Sequence, residues 1–152
     1  MSVRNLDALP TVTAALQSVL AGENACVYAY GLIGAQLSDA ARTLARQFLA
    51  EHTASRDRVR QRLIDLSVQP EPAAAAYNPP FPITSKSTAQ RLGALIEDRL
   101  ALVWADLVAS ARAENNDEMT SVAAAAVAAC AVRSSRWNGT TQAFPGLLST
   151  KG

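Results

Sequence analysis

The segment VQPEPAAAAYNPPFPIT, residues 68–84, decides how the helices of this chain can be connected. It holds five of the chain's seven prolines, and prolines at this spacing block helices and central strands and favour an extended backbone. Tyr77, Phe81 and Ile83 give the segment apolar anchors, which a solvated linker between domains would not need. The pattern therefore predicts an ordered connection that lies along the body of one domain.

Helical periodicity surrounds this segment on both sides. Apolar residues recur every three or four positions, and no stretch alternates long enough to predict a strand. The sequence therefore predicts an all-α fold in a single domain that spans residues 1–152. The expected helices lie at about 11–36, 39–66, 85–114 and 117–137, with a crossover at 67–84 and a C-terminal tail at 139–152.

The length of the proline-rich connection predicts the topology. Helices of about 27 residues are ~40 Å long, and an extended segment of about 17 residues, at ~3.1 Å each, reaches ~50 Å. The connection can therefore return the chain from one end of a bundle to the other, whereas a simple up-down-up-down bundle needs only a few residues there. Two antiparallel hairpins joined by one long connection form the ferritin-like arrangement of four-helix bundles, which is the predicted architecture.

Composition and charge exclude several classes of partner. The net charge of +1 gives no bias towards nucleic acid or anionic membranes. The longest apolar runs have 11 residues, well short of the ~18 that a membrane-spanning helix needs. The N-terminal sequence has no pattern of a secretory signal, and Cys26 and Cys130 lie far apart and outside any CxxC motif. We expect reduced thiols, a cytoplasmic location, and neither nucleic-acid nor membrane partners.

An arginine-rich stretch, SRDRVRQRL at residues 55–63, is the one candidate nucleic-acid patch. Arginines at alternate positions of a helix point to two different faces, and Asp57 and Asp65 lie among them. The expected result is a solvated face with local salt bridges.

A carboxylate and a histidine are predicted to meet inside the first hairpin. Glu23 falls on the apolar stripe of the first helix, where a carboxylate is costly unless it is compensated. It lies 14 residues before Leu37, and His52 lies 14 residues after Ser38. In an antiparallel hairpin that turns between Leu37 and Ser38, the two side chains therefore stand at the same level.

The second hairpin has a matching polar pair. It turns near Asn115, and Glu97 and Arg133 lie at equal distances on either side of that residue. A guanidinium group can neutralise a buried carboxylate without a metal when the remaining hydrogen bonds are satisfied. The favoured interpretation is therefore a buried network without a cofactor. Its members are Glu23, His52, Glu97, Arg99 and Arg133.

A metal site is the alternative interpretation. Ferritin-like di-metal enzymes use a Glu from each of two helices and Glu-x-x-His from the other two. Here Glu51 and His52 are adjacent, so their side chains diverge by ~100° around the helix, and no Asp, Glu or His follows residue 118. A reduced iron or manganese site would use Glu23, Glu51, His52 and Glu97. A third reading is that some of these side chains extend into solvent.

Several stretches of the chain carry a family resemblance. They are AGENACVYAYG (21–31), AEHTASRDRVRQRL (50–63), AAAAYNPPFPIT (73–84), IEDRLALVWADLVA (96–109), ACAVRSSRW (129–137) and AFPGL (143–147). In this order they resemble a family of bacterial ferritin-like domains to which no function is assigned. The resemblance implies a ferritin-like bundle but no particular reaction. That family tends to have a histidine directly after the first-helix glutamate, where this sequence has Asn24, and the departure disfavours a metal.

Two functions follow from these observations. The favoured one is a non-enzymatic binding or structural module with a degenerate metal site, which forms a homodimer and binds a small molecule or a protein. Gly31 and Gly34 suit the close approach of a neighbouring helix or subunit. The alternative is an iron- or manganese-dependent oxidoreductase with a reduced ligand set. Iron storage fits least, because nothing predicts a ferroxidase centre or shell assembly.

Overall fold

Four helices account for most of the chain, and the computed structural model describes residues 8–139. They are α1 (Val12–Ala35), α2 (Asp39–Asp65), α3 (Lys86–Ala113) and α4 (Asp117–Asn138). No strand occurs in residues 8–139, so the fold is an all-α helical bundle, as predicted. Each helix begins and ends within one residue of the predicted limits. The predicted tail beyond Gly139 lies outside the described residues.

Local capping fixes where the helices begin and end. The side chain of Thr11 accepts a hydrogen bond from the backbone N–H of Ala14 at the start of α1. Ser85 and Thr88 form a reciprocal capping box at the start of α3. Gly139 ends α4 in a left-handed conformation, with φ of 65°, which glycine adopts without a steric cost.

The packing between helices is uneven. α1 packs closely on both α2 and α3, and α3 packs closely on α4. Within residues 8–139, α4 has no other close helical neighbour, so a cleft remains between α2 and α4. The bundle is therefore well closed around α1 and α3 and open along one side of α4. None of the four helices described combines the length and the apolar character that crossing a membrane requires.

Two apolar clusters fill the core, one towards each end of the bundle. The first includes Leu16, Leu63 and Leu107, and the second includes Ile33, Phe48 and Leu92. Buried charged side chains from three helices belong to neither cluster. The core is therefore two apolar blocks with a polar layer between them.

The connection between α2 and α3, residues 66–85, makes specific contacts with the helices. Gln17 of α1 donates to the carbonyl of Gln69 at 2.8 Å and accepts from the N–H of Glu71 at 3.0 Å. The guanidinium carbon of Arg91 lies 4.2 Å from the centre of the Phe81 ring. These contacts attach the proline-rich segment to α1 and to α3.

Gly31 and Gly34 do not mark the approach of a helix from the same chain. A Cβ atom built at either position would meet nothing within 4 Å in the described part of the chain. A close packing contact does require a glycine at Gly93. A Cβ there would lie 2.7 Å from Nε1 and 2.8 Å from Cδ1 of Trp137, so only glycine lets α3 accept this indole.

Candidate functional site

The polar layer brings together one charged side chain from each of α1, α2 and α3. Glu23, His52 and Glu97 lie between the two apolar clusters, and each is 1% exposed or less. Each is on the inward stripe of its helix, so the periodicity that buries the apolar residues buries these groups too. An uncompensated charge at such a position would be very unfavourable, and the hydrogen-bond partners therefore decide whether the layer is stable.

His52 bridges the two carboxylates. Its Nδ1 lies 2.7 Å from Oε2 of Glu23, and its Nε2 lies 2.8 Å from Oε1 of Glu97. Burial alone would lower the pKa of His52, but the hydrogen bonds to both carboxylates outweigh burial and raise the pKa to about 9. At neutral pH the ring is therefore an imidazolium that donates from both nitrogens.

Arg133 of α4 completes the charge balance. Its Nε donates to both carboxylate oxygens of Glu97 at 3.1 Å, and its Nη1 donates to Oε2 of Glu51 at 3.1 Å. Burial would raise the pKa of Glu97, but its contacts with His52 and Arg133 lower the pKa below its ordinary value. Two buried carboxylates are thus matched by two cations, and the layer carries no net charge.

Aromatic donors satisfy the remaining carboxylate lone pairs in a reciprocal pattern. Tyr30 of α1 donates to Oε1 of Glu97 of α3 at 2.7 Å, and Trp104 of α3 donates to Oε1 of Glu23 of α1 at 3.2 Å. Burial, followed by the neighbouring Glu97 charge, raises the pKa of Tyr30, so its hydroxyl keeps its proton. Each aromatic residue follows the glutamate of its own helix by seven positions.

Further hydrogen bonds extend this layer. The hydroxyl of Ser55 donates to Oε1 of Glu23 at 2.7 Å, and the indole of Trp137 donates to the hydroxyl of Tyr30 at 2.9 Å. The Tyr30 ring also stacks on the His52 ring, with 5.4 Å between centroids and 21° between planes. Glu23, Tyr30, His52, Ser55, Glu97, Trp104, Arg133 and Trp137 are called the buried network below.

The structure brings four of the five residues of the predicted network together and separates the fifth. Glu23, His52, Glu97 and Arg133 are in contact as described, but Arg99 is exposed. Arg99 follows Glu97 by two positions, which places it ~200° away around the helix. Arg99 therefore lies outside the buried network.

The sequence interpretation did not assign Tyr30, Trp104, Trp137 and Ser55 to the layer. The seven-residue spacing from Glu23 to Tyr30 and from Glu97 to Trp104 could have identified two of them, because it repeats the same helix face. Their polar tips are what a buried carboxylate needs, whereas aromatic packing alone explains only their burial.

The hydrogen bonding of the layer does not fit a metal ion. Iron or manganese needs oxygen and imidazole lone pairs that point to one common position. Both ring nitrogens of His52 instead face carboxylates, and Glu51 contacts Arg133. In the described part of the chain, no three His, Cys, Asp or Glu side chains are grouped so that they could hold a metal.

A pocket lies beside the buried network, between α2 and α4. Its volume is about 320 Å³, and it adjoins a second cavity of about 530 Å³ in the same cleft. Trp104 and Ser55 line both cavities. The lining residues of the smaller pocket are Glu23, Glu51, Ala54, Ser55, Arg58, Trp104, Ala126, Ala129 and Arg133. The pocket therefore combines an apolar wall from α4 with charged groups from α2 and the network.

Known proteins provide three comparisons. Residues 15–149 match the family described as "Domain of unknown function (DUF4439)". The crystal structure of a conserved hypothetical protein from Mycobacterium tuberculosis is similar, with a TM-score of 0.79 and 31% sequence identity. That similarity covers 84% of this chain and 95% of the other. No curated protein matches the sequence.

Proposed function

The chain belongs to the DUF4439 family, whose function is unknown, and we propose that this member is a non-enzymatic protein that binds a small molecule. The bonding of His52 supports a non-catalytic role for the network. Both ring nitrogens are bound to carboxylates, so neither has a lone pair free to accept a proton from a substrate. The network stabilises the bundle, and the binding site is the pocket beside it.

We also infer that the frame is ferritin-like. The N–H of Val12 donates to Glu114 at 2.9 Å, which joins the start of α1 to the end of α3. Gln17, also near the start of α1, bonds to Gln69, which follows the end of α2. These contacts support a parallel arrangement of α2 and α3. The segment 66–85 is then a crossover that joins two antiparallel hairpins.

In such a frame, the buried network takes the place of a metal centre. His52 and Arg133 supply the positive charge that two metal ions would otherwise supply to Glu23 and Glu97. The two free cysteines, Cys26 and Cys130, are buried in the same apolar cluster, which agrees with a reducing, cytoplasmic location.

The charges around the pocket favour an organic anion with a small apolar body. Arg58 lines the pocket and makes no ion pair within residues 8–139, so its charge is available to a ligand. Glu51, which pairs with Arg133, has a side chain that is 42% exposed and can move into water when an anion replaces it. Trp104, Ala126 and Ala129 provide the surface for the apolar body.

Benzoate is a suitable probe, because it has one carboxylate and one small ring. We expect isothermal titration calorimetry to detect saturable binding of benzoate, with a dissociation constant of about 1 mM or lower. Arg58→Met should weaken that binding at least about tenfold, by removal of a charge-assisted contact. Arg60→Met is the matched control, since Arg60 is exposed on the same helix and does not line the pocket.

Two outcomes would count against this function. One is the absence of binding heat with benzoate up to about 10 mM. The other is equal binding of benzyl alcohol, which has the ring without the charge. Metal analysis distinguishes this function from the alternative, a metal-dependent oxidoreductase. Protein purified without chelator should contain far less than one iron or manganese per chain. A stoichiometric metal that disappears in Glu23→Ala would favour that enzyme instead.

A further inference from the structure

The side of α4 that borders the open cleft carries a seam of six residues with the spacing of a coiled-coil contact. They are Glu118, Val122, Ala125, Ala129, Val132 and Arg136, at successive intervals of four, three, four, three and four positions. This alternation keeps side chains on one stripe of a helix that packs against another helix. Five of the six are exposed, and Ala129 is half-buried.

No helix of the described chain covers this seam. α4 packs closely on α3 alone within residues 8–139, and its buried residues lie roughly 120° around the helix from the seam. Val132 is 61% exposed and Val122 is 49% exposed, which is unusual for two residues of one stripe. The helix also has no charged residue from 119 to 132, although charges normally separate apolar residues on a solvated face.

We propose that a second copy of this chain docks on the seam, with its α4 antiparallel to the first. The positions of the seam residues are symmetric about position 127, so the spacing is the same from either end. A two-fold axis there sets Val122 against Val132 of the partner subunit, and Ala125 against Ala129 of the partner subunit. The arrangement is isologous, as in most homodimers.

Charge complementarity identifies the occupant as a second copy and fixes its direction. The seam begins with an acidic residue, Glu118, and ends with a basic residue, Arg136. In the antiparallel pairing each acidic end meets the partner's basic end, whereas a parallel pairing would bring like charges together. Glu118 already bonds to Arg62 at 2.9 Å, but its side chain is 73% exposed and can accept a second donor.

The small side chains at the centre allow a close approach of the two helices, with the valines packing on either side. One helix per copy forms a narrower contact than the standard interface of about 800 Å² per partner, so we expect a reversible dimer that forms at about micromolar concentrations. Val122, Ala125 and Ala129 also line the cleft between α2 and α4, and the partner's helix would cover that cleft. The dimer does not depend on the proposed ligand.

Sedimentation velocity tests the dimer directly. We expect the wild-type chain to move from its monomer mass of 16.0 kDa to twice that mass as concentration rises. Ala125→Glu should raise the dimer dissociation constant at least about tenfold, because it places unpaired carboxylates in the contact. Ala124→Glu is the matched control, as Ala124 is also exposed but points away from the seam. Circular dichroism checks that both variants fold.

Cysteine cross-linking tests the direction and register. Under mild oxidation, a mixture of Val122→Cys and Val132→Cys chains should form a disulfide-linked dimer, while neither variant should do so alone. Cys26 and Cys130 are buried and provide a low background. A wild type that stays monomeric, an Ala125→Glu variant that dimerises normally, or a Val122→Cys chain that links to itself would each overturn the proposal.

Discussion

Charged side chains occur in two settings in this molecule, in the buried network and on the outer side of α2. In the network, partners come from different helices, and His52 and Glu97 are fully buried. On α2, Arg56 pairs with its neighbour Asp57, whose side chain is 60% exposed. Losing one partner in the core leaves a charge that water cannot reach and that is only partly compensated, whereas on the surface water replaces the partner. Removing one partner of an ion pair should therefore lower the free energy of unfolding far more in the buried network than on the surface.

The largest expected effect is that of Arg133→Met. Methionine fills much of the same space but leaves Glu97 with one cation instead of two, so we expect a loss of about 3–5 kcal/mol in the free energy of unfolding. Urea denaturation followed by circular dichroism measures this loss. A change below about 1 kcal/mol in the free energy of unfolding would mean that the Glu97–Arg133 pair contributes no more than a surface ion pair. The buried and exposed settings would then not differ.

The next effect is a pH dependence that only the buried setting should have. The folded-state pKa of His52 is about 9, against about 6.5 in an unfolded chain. The stabilisation is therefore complete below about pH 6.5 and is lost as pH rises through about 9, with a total of about 3 kcal/mol. Urea denaturation across this range measures it.

His52→Gln provides the control for that pH dependence. The variant should be less stable at neutral pH, and its free energy of unfolding should stay nearly constant between about pH 6.5 and 9. If the wild type shows no decline in this range, the imidazolium is not the form that bridges Glu23 and Glu97.

The smallest expected effect is that of Arg62→Met, the same substitution in an exposed ion pair between α2 and α4. Arg62 bonds to Glu118 at 2.9 Å, with side chains that are 33% and 73% exposed. We expect a change of about 0.5 kcal/mol or less in the free energy of unfolding, and a smaller one at high salt. If Arg62→Met lowered the free energy of unfolding as much as Arg133→Met, exposed ion pairs would also contribute strongly to the packing of α2 on α4.

Much of the fold could be predicted because helices are encoded locally. Spacing of apolar residues and polar caps such as Ser85 fixed four helices within one residue of their ends. The open cleft between α2 and α4 could not be predicted in this way. It depends on how small alanines of α4 and large arginines of α2 share space, and periodicity contains no information about that.

The sequence predicted the height along the bundle at which the site residues meet, but not all of the residues that take part. Counting residues from each turn placed Glu23 beside His52 and Glu97 beside Arg133, because rise per residue is constant along a helix. Distance along the sequence does not show which face of a helix a side chain occupies. Arg99 is close to Glu97 in sequence but points away from the network, whereas Trp104 is farther away and points into it.

The hydrogen bonds of the two indoles have a practical consequence. Trp104 and Trp137 are the only tryptophans of the chain, and each donates to a member of the buried network, Glu23 and Tyr30 respectively. Tryptophan fluorescence therefore originates entirely from rings that touch this layer. A proton leaving His52, or a ligand entering beside Trp104, should alter the emission of the unlabelled protein, which makes the chain its own optical reporter.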